Sequence, residues 1–210
     1  MKYVGSALAL TLFFALYGVV HSWLASLAVK NWMRRTFGPA ADRWYRLAYN
    51  VFAVVTFLPM LALTAALPGK VLYVIDAPWR WLLVAGQLAA LVGAGLTLLQ
   101  TGAFHFLGLA QLVTDRPAEN TPLNFRGMYR WVRHPLYFFS LMFLWLTPLM
   151  TTNSLVSYIL FTLYFQFGSE YEERRMVAEY GAAYDAYRRT VPRLIPWPGR
   201  QYVAQEVPEN

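Results

Sequence analysis

From Leu136 to Phe167 the chain reads LYFFSLMFLWLTPLMTTNSLVSYILFTLYFQF. Two apolar runs, about Leu136–Met150 and Leu155–Phe167, flank the polar Thr151-Thr152-Asn153. A bilayer core of about 30 Å takes roughly 20 helical residues, so each run is short for a crossing. Joined through a polar turn, they read as a helical hairpin that goes in and comes back. Counting this stretch as one crossing or two sets the side on which everything after it lies.

Three longer apolar blocks precede it, from about Tyr3 to Val29, Leu47 to Leu67 and Trp79 to Leu99. The composition agrees: 58% of the 210 residues are hydrophobic and 14% charged, with a mean hydropathy of +0.35. Soluble domains carry about 25% charged residues. Lys2 precedes the first block, which exceeds the about 7–15 apolar residues of a signal-peptide core and has no clear small-residue cleavage site; it reads as a retained helix. The sequence therefore predicts an all-α integral membrane protein of about five transmembrane helices, the last two a hairpin. One membrane-embedded domain would cover residues 1–198, with a loose tail at 199–210. No cysteine is present, which excludes disulfides, cysteine-ligated metal and a cysteine nucleophile.

Charge orients the helices. The first loop holds Lys30, Arg34, Arg35, Arg43 and Arg46, the third Arg116, Arg126, Arg130 and Arg133. Arg174, Arg175, Arg188, Arg189, Arg193 and Arg200 follow the last block. Five crossings put all of these on one side and leave Lys2, Lys70 and Arg80 opposite, so the positive-inside rule places the N-terminus outside and the C-terminus in the cytoplasm, in an inner membrane of bacterial type. Four crossings would strand six arginines outside. The net charge of +7 then reads as loops facing an anionic leaflet, with no nucleic-acid partner. Trp79, Trp81 and Trp131 suit the interface. His21, Ser22, Asn50, Gln100, His105, His134 and Glu170 all map to the cytoplasmic helix ends, which points to a site opening there.

The richest stretch is Gly127-Met128-Tyr129-Arg130-Trp131-Val132-Arg133-His134-Pro135-Leu136-Tyr137. Proline is tolerated in a first helical turn, so Pro135 starts the fourth span. His134 and Tyr137 are three apart and share its face. That spacing alone fits an interfacial anchor or one wall of a site. At the far end of the hairpin stands Glu170-Tyr171-Glu172-Glu173, carboxylates on an otherwise basic face. The chain climbs about 15 residues, roughly 23 Å, turns and descends as far. The glutamates thus return to the depth of His134, as an ion pair or as a receptor for a zwitterion. Helical phase puts Glu170 and Glu173 on one face and turns Glu172 away. A stripe of Val177, Tyr180, Tyr184 and Tyr187 then predicts a helix along the cytoplasmic surface, ended by Val191-Pro192.

In order and spacing, G-x-Y-x-x-x-R-H-P-x-Y, the hairpin, E-x-E-E, Gly181-x-x-Tyr184-x-x-Tyr187 and Val191-Pro192 resemble the isoprenylcysteine carboxyl methyltransferase and phospholipid methyltransferase superfamily. The likeness covers about Leu123 to Pro196. It implies a membrane enzyme using S-adenosylmethionine, with residues 101–198 as the cofactor half. Gly127, Tyr129, Arg133, His134, Pro135, Tyr137, Glu170 and Glu173 would line the cofactor pocket, Arg133 and His134 serving catalysis. Further upstream, Tyr17-Gly18-Val19-Val20-His21-Ser22-Trp23, Tyr45-Arg46-Leu47-Ala48-Tyr49-Asn50 and His105-Phe106-Leu107-Gly108-Leu109-Ala110-Gln111 look like the NnrU-type and methanethiol S-methyltransferase branch. That likeness implies a small thiol or lipid-like methyl acceptor, with His21, Asn50, His105 and Gln111 at its end of the site. Its alternative is a haem-binding NnrU-like isomerase or redox protein, with His21 as an axial ligand.

Overall fold

The computed structural model describes residues 2–110 and 125–201. Helix α1 spans Lys2–Ala25, α2 Leu27–Phe37, α3 Ala41–Ala66 and α4 Trp79–Gln100; a short α5, Ala103–Leu107, follows. A 3-10 turn at Gly127–Arg130 precedes α6, Pro135–Trp145, then come α7, Thr152–Tyr180, and α8, Ala182–Thr190. Strands β1, Val71–Val74, and β2, Leu149–Thr151, pair antiparallel, with Val71 opposite Thr151 and Val74 opposite Leu149.

Three helices, α1, α3 and α4, are long and apolar enough to cross a membrane. Their outward faces are exposed leucines and valines such as Leu8, Leu12, Leu16, Val54, Leu58, Leu88 and Leu99, which water would not tolerate in such continuity and lipid would. This is an integral membrane protein.

Four boundaries differ from expectation. The first block breaks at Ser26, whose extended backbone and hydroxyl, accepting from the Val29 N–H at 3.4 Å, cap α2 as a separate helix. The fourth block is helical for 11 residues only. Pro148 disfavours a helical Thr147 and brings no N–H, so the chain leaves α6 at Trp145 and runs extended into β2. The hairpin's turn is thus a strand, and a small β ribbon joins the helices. Last, α7 is continuous from Thr152 to Tyr180, so Val177 and Tyr180 belong to it; only Tyr184 and Tyr187 lie on the helix after Gly181 (φ +56°).

The chain packs as two compact units. The first contains the chain up to Arg80, α5 and Pro148–Leu160. There the Ser6 hydroxyl donates to Pro68 O at 2.8 Å, Asn153 Nδ2 to Leu67 O at 2.8 Å, and Thr152 N to Lys70 O at 2.9 Å. The start of α1, the end of α3 and the start of α7 therefore meet at the ribbon. The second unit contains Trp81–Gln100, the segment up to Thr147 and the chain from Phe161. In it Gly93 of α4 sits where a Cβ would run into the ring of Phe139, so α6 lies directly on α4.

Candidate functional site

The site residues of the second unit converge where three segments meet: the turn before α6, the lower part of α7, and the chain after α8. Gly127 has φ +59°, open to glycine, and a Cβ there would strike the Gln100 amide. That amide, on the last residue of α4, accepts the Met128 N–H at 3.0 Å. The other side of the turn is held by Tyr187, whose hydroxyl donates to Tyr129 O at 2.6 Å. Tyr184, Tyr187 and Val191 are buried together against Phe125, Met176, Val177 and Tyr180. Burial pushes both phenols well above the ordinary tyrosine range, and the Glu173 charge adds to it, so they remain neutral donors.

Arg133 and His134 are fixed by backbone as well as side chain. Their N–H groups donate to Pro192 O at 3.0 Å and Arg193 O at 3.1 Å, which straps the chain after α8 across them. Arg133 Nη1 donates to Arg188 O at 2.6 Å and its Nε lies 2.9 Å from Glu173 Oε1. Arg133 and Glu173 side chains are only 10% and 9% exposed, so this is a buried ion pair. His134 Nε2 shares the same carboxylate at 3.1 Å. On its other edge His134 Nδ1 stands 3.6 Å from Glu172 Oε2, which also accepts the Tyr137 hydroxyl at 3.4 Å. Tyr137 stacks on His134 (5.3 Å, 5°) and on Phe165 (4.7 Å, 10°), making an aromatic wall.

Arg133, His134, Pro135, Tyr137 and Glu173 thus come together as the spacing indicated, with Gly127 and Tyr129 in the adjoining turn. The glutamates need correction. Glu172, expected to turn away, reaches His134 instead, while Glu170 reaches Arg193 at 3.8 Å. Residues 172 and 173 differ by about 100° of helical phase, and the imidazole fits between them with one nitrogen to each. A ring with two nitrogens was the available signal: it favours adjacent carboxylates over a pair three apart. Gln100, Tyr187 and Arg193 also hold the site, through contacts to backbone or to a carboxylate that no motif spacing announces.

Two of the acceptor-end candidates belong to the first unit. His21 and Asn50 lie on α1 and α3 of the first unit; His21 Nε2 is 2.6 Å from the Tyr49 hydroxyl, and its ring stacks on Tyr17 at 5.4 Å. His105 belongs to α5, but its side chain lies outside the described residues, as does Gln111.

The phospholipid methyltransferase family model matches residues 81–183, from α4 into the start of α8, and so takes in both the Arg133-His134-Pro135 corner and the two glutamates. Over 208 residues the chain is 32% identical to a methanethiol S-methyltransferase of Mycobacterium tuberculosis, covering 94% of this chain and 81% of that one. The chain belongs to this methyltransferase family. A Bradyrhizobium diazoefficiens methanethiol S-methyltransferase 2 is 31% identical over 88% of this chain and 71% of its own. Rat nurim is 31% identical over 71% of this chain and 60% of its own. No solved structure matches the chain. With its apolar helices, this member of the phospholipid methyltransferase family is a membrane methyltransferase, and its reaction requires a methyl donor.

Proposed function

We propose that the protein transfers a methyl group from S-adenosylmethionine to a small alkyl thiol of the methanethiol class, at a site opening to the cytoplasm of a bacterial inner membrane. The acceptor is taken from the relatives' names. The reading rests above all on the buried Arg133–Glu173–His134 cluster with the more exposed Glu172 at its edge. S-adenosylmethionine carries an ammonium, a carboxylate and ribose hydroxyls. A cation and two carboxylates set side by side are the matching donor and acceptor set, and the Tyr137–Phe165 wall suits a flat base. When bound, the cofactor supplies an electrophilic methyl on a sulfonium. The chain's work is alignment and exclusion of water. Arg133 takes the carboxylate, Glu172 and Glu173 the ammonium or ribose, and His134 holds the two glutamates at a fixed separation. Gly127 and Tyr129 form the turn that closes the pocket, and residues 101–198 are the half that handles the cofactor.

Calorimetry on the detergent-solubilised protein tests this. S-adenosylmethionine binds the wild type, and Glu172→Gln weakens it about tenfold, the worth of one charge-assisted hydrogen bond. Glu172 is the informative position because its side chain is 43% exposed, whereas cutting a buried pair at Glu173 also costs folding. Unchanged affinity in Glu172→Gln takes the carboxylates out of the cofactor site. Methyl transfer assayed with methanethiol, a prenylated cysteine and a phospholipid then reports the acceptor, and methanethiol alone is expected to turn over.

A further inference from the structure

A second feature lies wholly in the first unit. An open groove runs between α1 and α3, lined at one end by Leu24, Trp44, Tyr45, Ala48, Tyr49 and Phe52, and at the other by Phe13, Leu16, Tyr17, Val20, Phe52 and Thr56. Phe52 lines both, so the two hollows are neighbours along α3. From Trp44 to Thr56 the helix rises about 18 Å, close to the depth of one leaflet's hydrocarbon in a core of about 30 Å. The hydroxyls along it are turned away from it: Tyr45 donates to Leu24 O at 2.6 Å, Tyr49 meets His21 at 2.6 Å, and Thr56 donates to Phe52 O at 2.7 Å. The groove is consequently apolar. The hollows measure about 160 and 200 Å³ and follow one another along the helix pair, a shape that suits an extended chain.

The mouth of the groove is basic. Trp44 stands there and meets Phe37 of α2 edge-on at 6.2 Å, and Phe37 meets Trp32 at 6.5 Å and 89°. All three rings are exposed, an interfacial aromatic string. Two residues before Phe37 lies Arg35, and Arg34 beside it reaches Asp42, two residues before Trp44, at 3.3 Å. Lys30, Arg34 and Arg35 occupy the polar face of α2, opposite the buried Val29. Asp42 is the lone acid among five basic residues between Leu27 and Arg46. A cationic amphipathic helix ending over an apolar track one leaflet deep has the polarity of a single lipid molecule, head and tail.

We propose that α2 and the α1–α3 groove hold one anionic phospholipid, its phosphate at Arg34 and Arg35 and one acyl chain along the groove past Phe52. The lipid is a structural ligand, distinct from the methyl acceptor, and the assignment stands whatever that acceptor is.

Native mass spectrometry of the intact protein, released from micelles containing equal dioleoyl phosphatidylglycerol and dioleoyl phosphatidylcholine, tests it. One phosphatidylglycerol is expected to remain bound, with phosphatidylcholine absent at that stoichiometry. Glycerol phosphate, the head without the tail, is expected not to displace it. Arg34→Gln with Arg35→Gln lowers the retained fraction about tenfold, from the loss of two cations near the phosphate. Phe52→Trp, which fills the groove and leaves every charge, lowers it as well. Equal retention of both lipids, displacement by glycerol phosphate, or wild-type retention in both variants overturns the proposal.

Discussion

Tyr187 shows how much of the site depends on one side chain that never needs to touch a ligand. Its phenol is 3% exposed and donates to Tyr129 O, and burial raises its pKa above the roughly 10 of an unfolded chain. Below that value folded and unfolded chains both keep the proton and stability is complete. As pH climbs past it the unfolded chain ionises first and binds fewer protons, so stability falls until the folded phenol ionises in turn. Tyr184, raised for the same cause, adds to the fall. Thermal unfolding in detergent between about pH 9 and 11 should therefore show a steep loss of stability. Tyr187→Phe should begin lower by about 1 kcal/mol, for the lost hydrogen bond, and decline less steeply. Parallel curves for the two proteins would show that Tyr187 does not govern the alkaline transition. At this scale spacing placed His134 and Tyr137 on one face, where their rings do stack. It could not reveal Tyr187's partner, because a backbone carbonyl has no residue type to recognise.

Helices α4 and α6 meet through a glycine, and that contact sets where the site begins. Gly93 leaves room for the ring of Phe139, four residues after Pro135 and two after Tyr137. Gly95, two positions on, has open space around its Cβ direction. Two substitutions of the same kind on the same helix should therefore behave oppositely. Gly95→Ala gains helix propensity of up to about 1 kcal/mol and should be neutral or mildly stabilising. Gly93→Ala must push α6 or rotate Phe139, at about 1–3 kcal/mol, and should also weaken S-adenosylmethionine binding by displacing Tyr137. Melting temperatures and calorimetry on the pair distinguish them; equal effects would mean α6 does not lean on α4. Element limits were legible in part. The apolar blocks and Pro135 placed α4 and the start of α6 closely, whereas α3 begins at Ala41, six residues before the second block. The break at Ser26 and the exit at Trp145 were hidden because apolar runs continue through both, and hydropathy does not register a capping hydroxyl or the strain before Pro148. The short ribbon escaped notice because its strands, Val71–Val74 and Leu149–Thr151, lie far apart in sequence and acquire strand character only from each other.

At the scale of the molecule, the ribbon bears on the number of crossings. Helix α6, at 11 residues or about 17 Å, is too short to cross a core of about 30 Å by itself, so hydropathy alone leaves the hairpin's parity ambiguous. Pairing of β1 with β2 sets Thr152 beside Lys70, its N–H on Lys70 O, and so puts the start of α7 on the same side as the loop after α3. From there α7 runs 29 residues, about 44 Å, its first 16 residues apolar apart from a few hydroxyls and amides and its last third charged. A crossing by α7 is therefore expected to carry Glu172, Glu173 and the arginines that follow to the side opposite Lys70. That expectation is the one the positive-inside count gives. Because the chain has no cysteine, single introduced cysteines are unique labels. Lys70→Cys and Arg200→Cys, both at exposed positions, should differ in intact cells: a membrane-impermeant maleimide labels the first at once and the second only after the membrane is opened. Arg35→Cys should follow Arg200→Cys. Labelling of residues 70 and 200 from the same side would mean that α7 does not cross, and would separate the carboxylates from the cytoplasmic supply of S-adenosylmethionine on which the proposed reaction depends.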